Sequence, residues 1–204
     1  MDTEASTDAS HLVVVGASAG GLQPLTELCA TLDGEASRAA VLVVQHLSPS
    51  HPSLLPNLLS QHAHLPVRAL EGDERIEAGA IYVAPGGRQV TVGANTLALE
   101  DTTAGEARSI DHAMRTAAAS WGERAVGVIL SGSGSDGAAG AREIRKAGGL
   151  VMAQEPETAE FPSMPEAVLG AGLVQRSASP WQIGDLIDAH LRGEEVALDG
   201  PLRS

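Results

Sequence analysis

Cysteine occurs once in the 204 residues, at Cys29, which excludes an internal disulfide and any cysteine-rich zinc site. Aromatic residues are almost as scarce, being Trp121, Trp181, Tyr82 and Phe161 alone. The core must therefore be aliphatic, made of Ala, Val, Leu and Ile. Lysine occurs only at Lys146, so the other twelve of the 13 basic residues are arginines. Set against 26 acidic residues, they leave a formal charge of −13 at neutral pH. A duplex or an anionic leaflet is bound through clustered Lys and Arg, and this balance argues against both partners. No apolar run approaches the ~18 residues of a membrane span, and Met1-Asp2-Thr3-Glu4 offers no basic n-region. The expectation is a cytoplasmic chain without membrane insertion or a nucleic-acid partner.

What is present reads as one domain, long enough to bury a core without a disulfide or metal. Residues 1–10 are small, polar and acidic and read as a disordered tail, residues 193–204 as a flexible C-terminal tail, and 11–192 as the folded unit. Apolar runs alternate with helical spacing, the pattern of an α/β chain whose parallel sheet is covered on both faces. Buried strands are expected at Leu12–Val15, Val41–Val44, Ala125–Leu130 and Leu150–Ala153, with shorter ones near 66–70, 80–84 and 172–174. Leu22, Leu25, Leu28, Cys29 and Leu32 share one helical stripe, and Ile110, Ala113, Met114, Ala117, Ala118 and Trp121 share another. Ser163 with Glu166 has capping-box spacing, Ser179-Pro180 starts a helix, and Gly148-Gly149 ends one. Two alternating runs about Gly93-Ala94-Asn95 predict an antiparallel hairpin added to the sheet.

The segment richest in chemistry is Val13 to Gly21, a strand, a tight turn and the start of a helix. Gly16-Ala17-Ser18-Ala19-Gly20 matches G-x-S-x-G, the spacing of a nucleophile elbow. A helix N-terminus behind Ser18 would also supply N–H donors to a developing oxyanion. Two plainer readings compete. A dinucleotide loop would need glycine where Ser18 stands and an acid after the second strand, where Gln45-His46 stands instead. A small-residue turn without chemistry is the other.

A serine nucleophile needs a base, and His46 follows the second strand as Ser18 follows the first, which places both at one sheet edge. His11 precedes its strand and belongs to the opposite edge, and His112 and His190 fall in helices. His51, His62 and His64 surround a leucine-rich helix and lack zinc-ligand spacing, so no metal is expected. Cys29 reads as a buried small hydrophobe. The loop Ser131 to Gly140 follows a third strand. It has no P-loop lysine, and Asp136 at its helix mouth would repel phosphate but could orient an imidazole. Serine, histidine and aspartate thus follow three strands, in an order different from that of α/β-hydrolases.

These segments resemble the catalytic domain of the bacterial chemotaxis protein-glutamate methylesterase, CheB. The resemblance runs from about Leu12 to Ile187 and rests on Gly16 to Gly21, Gln45-His46, Ala84-Pro85-Gly86, Gly127 to Gly140, Ala153-Gln154 and Met164-Pro165. It implies a three-layer, doubly wound α/β/α fold with Ser18 as nucleophile, His46 as general base and Asp136 as its orienting partner. It further implies that the N–H groups at Ala19 and Ser133 are oxyanion-hole candidates, and no cofactor is implied. Arg88, Arg108, Met164 and Pro165 are candidates to line the substrate cleft, the arginines forming a less negative rim. Ala19 stands where the family commonly has threonine, Ser133 where it has methionine, and Ala107-Arg108-Ser109-Ile110-Asp111 departs from its R-P-S-V-D pattern. About ten residues precede the first strand where the family has a phospho-receiver domain, so regulation is expected from a separate partner, with a methyltransferase another candidate partner.

The activity so implied is hydrolysis of glutamyl methyl esters on a methylated, receptor-like signalling protein, with glutamine deamidation by the same groups. The alternatives are a non-catalytic docking module of a chemosensory system and an esterase for a small, non-receptor ester.

Overall fold

The computed structural model describes residues 8–32, 34–47, 53–101 and 108–194. Seven parallel strands form the main sheet in the order β10-β9-β8-β1-β2-β5-β3. They are β1 (Leu12–Ala17), β2 (Ala40–Gln45), β3 (Val67–Ala69), β5 (Ala80–Val83), β8 (Ala125–Ile129), β9 (Leu150–Gln154) and β10 (Arg176–Ala178). Every residue of β1 is buried, because a central parallel strand has no wet face. Its period-2 alternation divides the interior into two aliphatic clusters. Leu12 and Val14 join α3 (Ser109–Trp121), α4 (Ala138–Lys146) and α5 (Ser163–Gly170) on one face. Val13, Val15 and Ala17 join α1 (Leu22–Thr31), α2 (Leu55–Ser60) and α6 (Pro180–Leu191) on the other. The three-layer, doubly wound architecture is the one expected. No helix among the described residues is long and apolar enough to cross a membrane.

Several details differ from expectation. The hairpin forms as β6 (Arg88–Val92) and β7 (Thr96–Asp101), but β4 (Glu74–Arg75) pairs with β7 to make a separate three-stranded antiparallel sheet. Its Val90, Val92 and Leu97 pack into the cluster that contains α3, so side chains hold it, without ladder bonds to the main sheet. No strand forms over residues 172–174, where the N–H groups of Gly172 and Leu173 turn back to Leu169 and Val168 to close α5. The edge strand starts only at Arg176. Ser163 does not cap its own helix; its hydroxyl is used elsewhere, at the site. Leu22, on the predicted apolar stripe of α1, is 45% exposed.

Both tail boundaries also shift. Residues 1–7 and 195–204 lie outside the described residues. Ala9, however, is buried in the core, Ser10 donates to the Arg38 carbonyl at 2.8 Å, and Asp8 pairs with Arg75 at 2.9 Å. At the other end, the Gly193 and Glu194 N–H groups bond the carbonyls of His190 and Ala189 and complete the end of α6.

Away from the strand ends that carry Ser18 and His46, the rings of His11 and His190 meet edge to face with centroids 5.5 Å apart. Burial pushes both below the usual histidine range, and His190, Arg124 and Arg38 push His11 further. Both rings thus bind a proton less readily in the fold than in the unfolded chain, which protonates near pH 6.5. The unfolded state then binds more protons, and stability falls as pH drops through that value. Urea midpoints should fall between about pH 7.5 and about pH 5.5. His190→Phe, which keeps a ring at the contact, should flatten the slope; an unchanged slope would place the titration elsewhere.

Candidate active site

The C-terminal ends of β8, β1 and β2 lie side by side, and the ladder continues past them. Leu130 N–H donates to the Gly16 carbonyl at 2.9 Å, Ser18 N–H to Ser131 at 3.0 Å, and His46 N–H to Ala17 at 3.2 Å. The backbone therefore fixes Ser18 and His46 before any side-chain contact is made. Gly20 turns the chain at φ 66° into α1, a conformation that suits glycine. The next loop approaches so closely that a Cβ at Gly132 would run into Met164 Sδ and come within 2.9 Å of Ser18 Cβ.

His46 lies between the other two side chains. Its Nε2 is 2.7 Å from Asp136 Oδ2 and its Nδ1 is 3.2 Å from Ser18 Oγ. A carboxylate can only accept, so Nε2 carries the proton and the Nδ1 lone pair faces the Ser18 hydroxyl. Asp136 is 7% exposed, and burial pushes its carboxyl up. The hydrogen bond from His46 and those from the N–H groups of Asp111 and Ile110 outweigh that and hold it below the usual carboxylate range. Those N–H groups stand 2.9 and 3.1 Å from it, and Gly137 N–H adds a further bond at 2.9 Å. Such an arrangement can deprotonate a hydroxyl and stabilise the imidazolium that results.

Asp111 is a site residue that sequence reasoning passed over. It is 3% exposed, and its Oδ1 accepts from Gly137 N–H at 2.9 Å and Gly140 N–H at 2.8 Å, at the start of α4. Asp136 in turn accepts from Ile110 and Asp111, in the first turn of α3. Each carboxylate thus caps the helix belonging to the other. The available signal was an acid set between Ile110 and Met114 on an otherwise apolar stripe.

Other buried polar groups hold the loops. Ser131 Oγ donates to the Ala19 carbonyl at 2.9 Å, and Ser131 N–H donates to Gln154 Oε1 at 2.9 Å. Ser163 Oγ donates to Gly132 and accepts from Gly134 N–H, both at 3.1 Å, which clips the loop before Asp136. The N–H groups of Ala19 and Ser133 find no acceptor among the described residues. Of the expected cleft residues, Arg108 lines an open cleft of about 760 Å³ together with His46, Asp136 and Ser133. Gln89, His112 and Arg115, not foreseen from sequence, line it as well. Arg88 does not; it pairs with Asp101 at 3.0 Å and donates to the Leu99 carbonyl on the antiparallel sheet. Met164 and Pro165 are also not cleft residues: both are buried in α5, where Met164 supports Gly132 from beneath.

His62 and His64 are exposed beyond α2, and His51 lies outside the described residues. Among the described residues no group of three or more His, Cys, Asp or Glu side chains is placed to hold a metal ion. Burial pushes the Cys29 thiol up to about 12, so it offers no competing nucleophile.

The family model described as CheB methylesterase matches residues 13–187. The protein-glutamate methylesterase/protein-glutamine glutaminase 3 of Burkholderia thailandensis is 37% identical over 174 residues, covering 82% of this chain and 48% of that protein. A protein of the same description from Carboxydothermus hydrogenoformans is 33% identical over 189 residues, covering 89% and 55%. The chain therefore spans about half the length of the curated relatives it matches. The crystal structure of the Thermotoga maritima CheB methylesterase catalytic domain superposes with a TM-score of 0.83 at 26% identity, covering 90% of this chain and 100% of that one.

The exchanged caps can be tested on their own. Asp111→Ala leaves the buried Gly140 N–H without an acceptor and Gly137 N–H with Asp136 alone, and should lower the unfolding free energy by about 1–3 kcal/mol. Asp111→Asn keeps one acceptor oxygen and should cost less. Equal losses in urea titrations would show that the caps are not what Asp111 contributes.

Proposed function

The chain belongs to the CheB methylesterase family, and from that premise we propose that it is a serine hydrolase removing methyl esters from glutamate side chains of a methylated, receptor-like signalling protein. The observation that carries the reading is the unbroken hydrogen-bond chain from Asp136 through His46 to Ser18. The names of the relatives from B. thailandensis and C. hydrogenoformans support the same chemistry, and they add glutamine deamidation as a second reaction. Cytoplasmic action on a receptor's inner portion, with a separate regulatory partner or methyltransferase, belongs to the same proposal.

The steps follow from the groups in place. Ser18 Oγ attacks the ester carbonyl as its proton passes to His46 Nδ1, and Asp136 stabilises the resulting imidazolium through Nε2–H. The N–H groups of Ala19 and Ser133, which find no acceptor among the described residues, would receive the oxyanion of the tetrahedral intermediate. Collapse expels methanol, which takes the proton from His46, and leaves the glutamyl group esterified to Ser18. Water, deprotonated by the now neutral His46, attacks that ester, and Ser18 leaves with its proton restored. For a glutamine side chain the leaving group is ammonia. Backbone N–H donors suffice for the oxyanion role, so Ala19 in place of threonine removes a hydroxyl without removing the hole. A docking module without turnover would leave the alignment of three polar side chains without a purpose.

Methanol release from a methylated receptor preparation should fall by at least roughly a thousandfold in Ser18→Ala, as nucleophile loss does in triad enzymes. Release at the unaltered rate would remove the serine mechanism.

A further inference from the structure

The same cleft carries a second polar centre that the reaction does not use. Arg108, Asp111, His112 and Arg115 fall at positions i, i+3, i+4 and i+7 of the segment forming α3, and all four line the cleft that opens beside His46 and Asp136. Asp111 is already saturated by Gly137, Gly140 and the Arg108 guanidinium, whose Nη1 is 3.0 Å from Oδ2. Arg108 remains 65% exposed beyond that contact. Arg115 is exposed and has no carboxylate partner among the described residues.

Arg115 is nonetheless held in place. Thr91 Oγ1 is 2.6 Å from Glu100 Oε1 and 2.7 Å from His112 Nε2, and His112 Nδ1 is 3.3 Å from Arg115 Nη2. Only one direction satisfies every group. The Thr91 proton goes to Glu100, His112 Nε2–H donates to Thr91, and the His112 Nδ1 lone pair accepts from Arg115. His112, tied back to the antiparallel sheet through Thr91, thus orients one edge of the guanidinium and leaves the rest of its fork for the cleft.

Resting on the esterase reading above, we propose that Arg115, assisted by Arg108, forms a carboxylate-recognition subsite for an acidic side chain of the substrate polypeptide. Both guanidinium groups line the cleft beside His46 and Asp136, so the acid they would receive is one flanking the esterified glutamate rather than the ester itself. The preferred substrate is therefore one in which a carboxylate flanks the esterified glutamate. The protein's own charge of −13 would otherwise oppose an acidic segment, and the two guanidinium groups offset the two buried carboxylates of the cleft lining.

The test uses helical peptides with a central glutamate methyl ester, flanked at both i−4 and i+4 by Glu or by Gln. Their binding to the Ser18→Ala protein is read by fluorescence anisotropy. The Glu peptide should bind roughly tenfold more tightly, the scale of a charge-assisted hydrogen bond. Adding Arg115→Gln should narrow that ratio to within about twofold, whereas Arg115→Lys, which keeps the charge, should retain part of it. Equal binding of the two peptides, no binding of either, or a ratio untouched by Arg115→Gln would overturn the subsite. Hydrolysis by the unaltered protein separates the two claims. Turnover of both peptides with equal kcat/KM overturns the subsite and spares the esterase reading; charge-selective binding without any turnover overturns the esterase reading and spares the subsite.

Discussion

The arrangement on which the rest of the site depends is an exchange of helix caps between two buried carboxylates. Asp136 accepts from the first turn of α3, and Asp111, one residue of that turn, accepts from the first turn of α4. A helix N-terminus leaves N–H groups without intrahelical partners, and burying them without acceptors is costly. Here each helix start is satisfied only while the other is in register with it. The Asp136 carboxylate is thereby held by three backbone N–H groups, so its one short side-chain bond, to His46, points in a fixed direction. The same N–H groups keep the carboxylate ionised despite burial, and an ionised partner is what an imidazolium needs. Structural caps and electrostatic preorganisation are one set of hydrogen bonds.

Precision on the serine side comes from the backbone. The ladder that continues beyond β8, β1 and β2 places Ser18 and His46 in adjacent registers, and Ser131, Gln154 and Ser163 then fix the loop that passes over the serine. Gly132 permits the closest approach. The cleft opens on the other side of His46, where the arginines of α3 stand. Two arginines line that side, and the neighbouring carboxylates of Asp111 and Asp136 are saturated with N–H donors.

Much of this could be read from the chain alone. The valine-rich runs of β1 and β2 could be nothing but buried parallel strands, and that topology by itself brings Ser18 and His46 to one edge. Residues whose role depends on distant partners were not legible. Met164 sits in a recognisable motif but is buried beneath Gly132, because motif membership does not distinguish a contact with substrate from a support for the loop that makes it. Ser163 has capping-box spacing, yet its hydroxyl serves a loop thirty-one residues away in sequence, which local spacing cannot encode. Arg88 and Arg108 were equivalent as charges; only the packing of the antiparallel sheet against α3 commits the first to Asp101 and turns the second to the cleft.

The central claim is that Asp136 and His46 make Ser18 a reactive nucleophile. Covalent labelling by a fluorophosphonate, with the modified residue mapped by mass spectrometry, tests it most directly. The account predicts a single adduct on Ser18 in the unaltered protein and its loss in His46→Ala. An adduct on another residue, no adduct, or labelling of Ser18 that persists without His46 would contradict it.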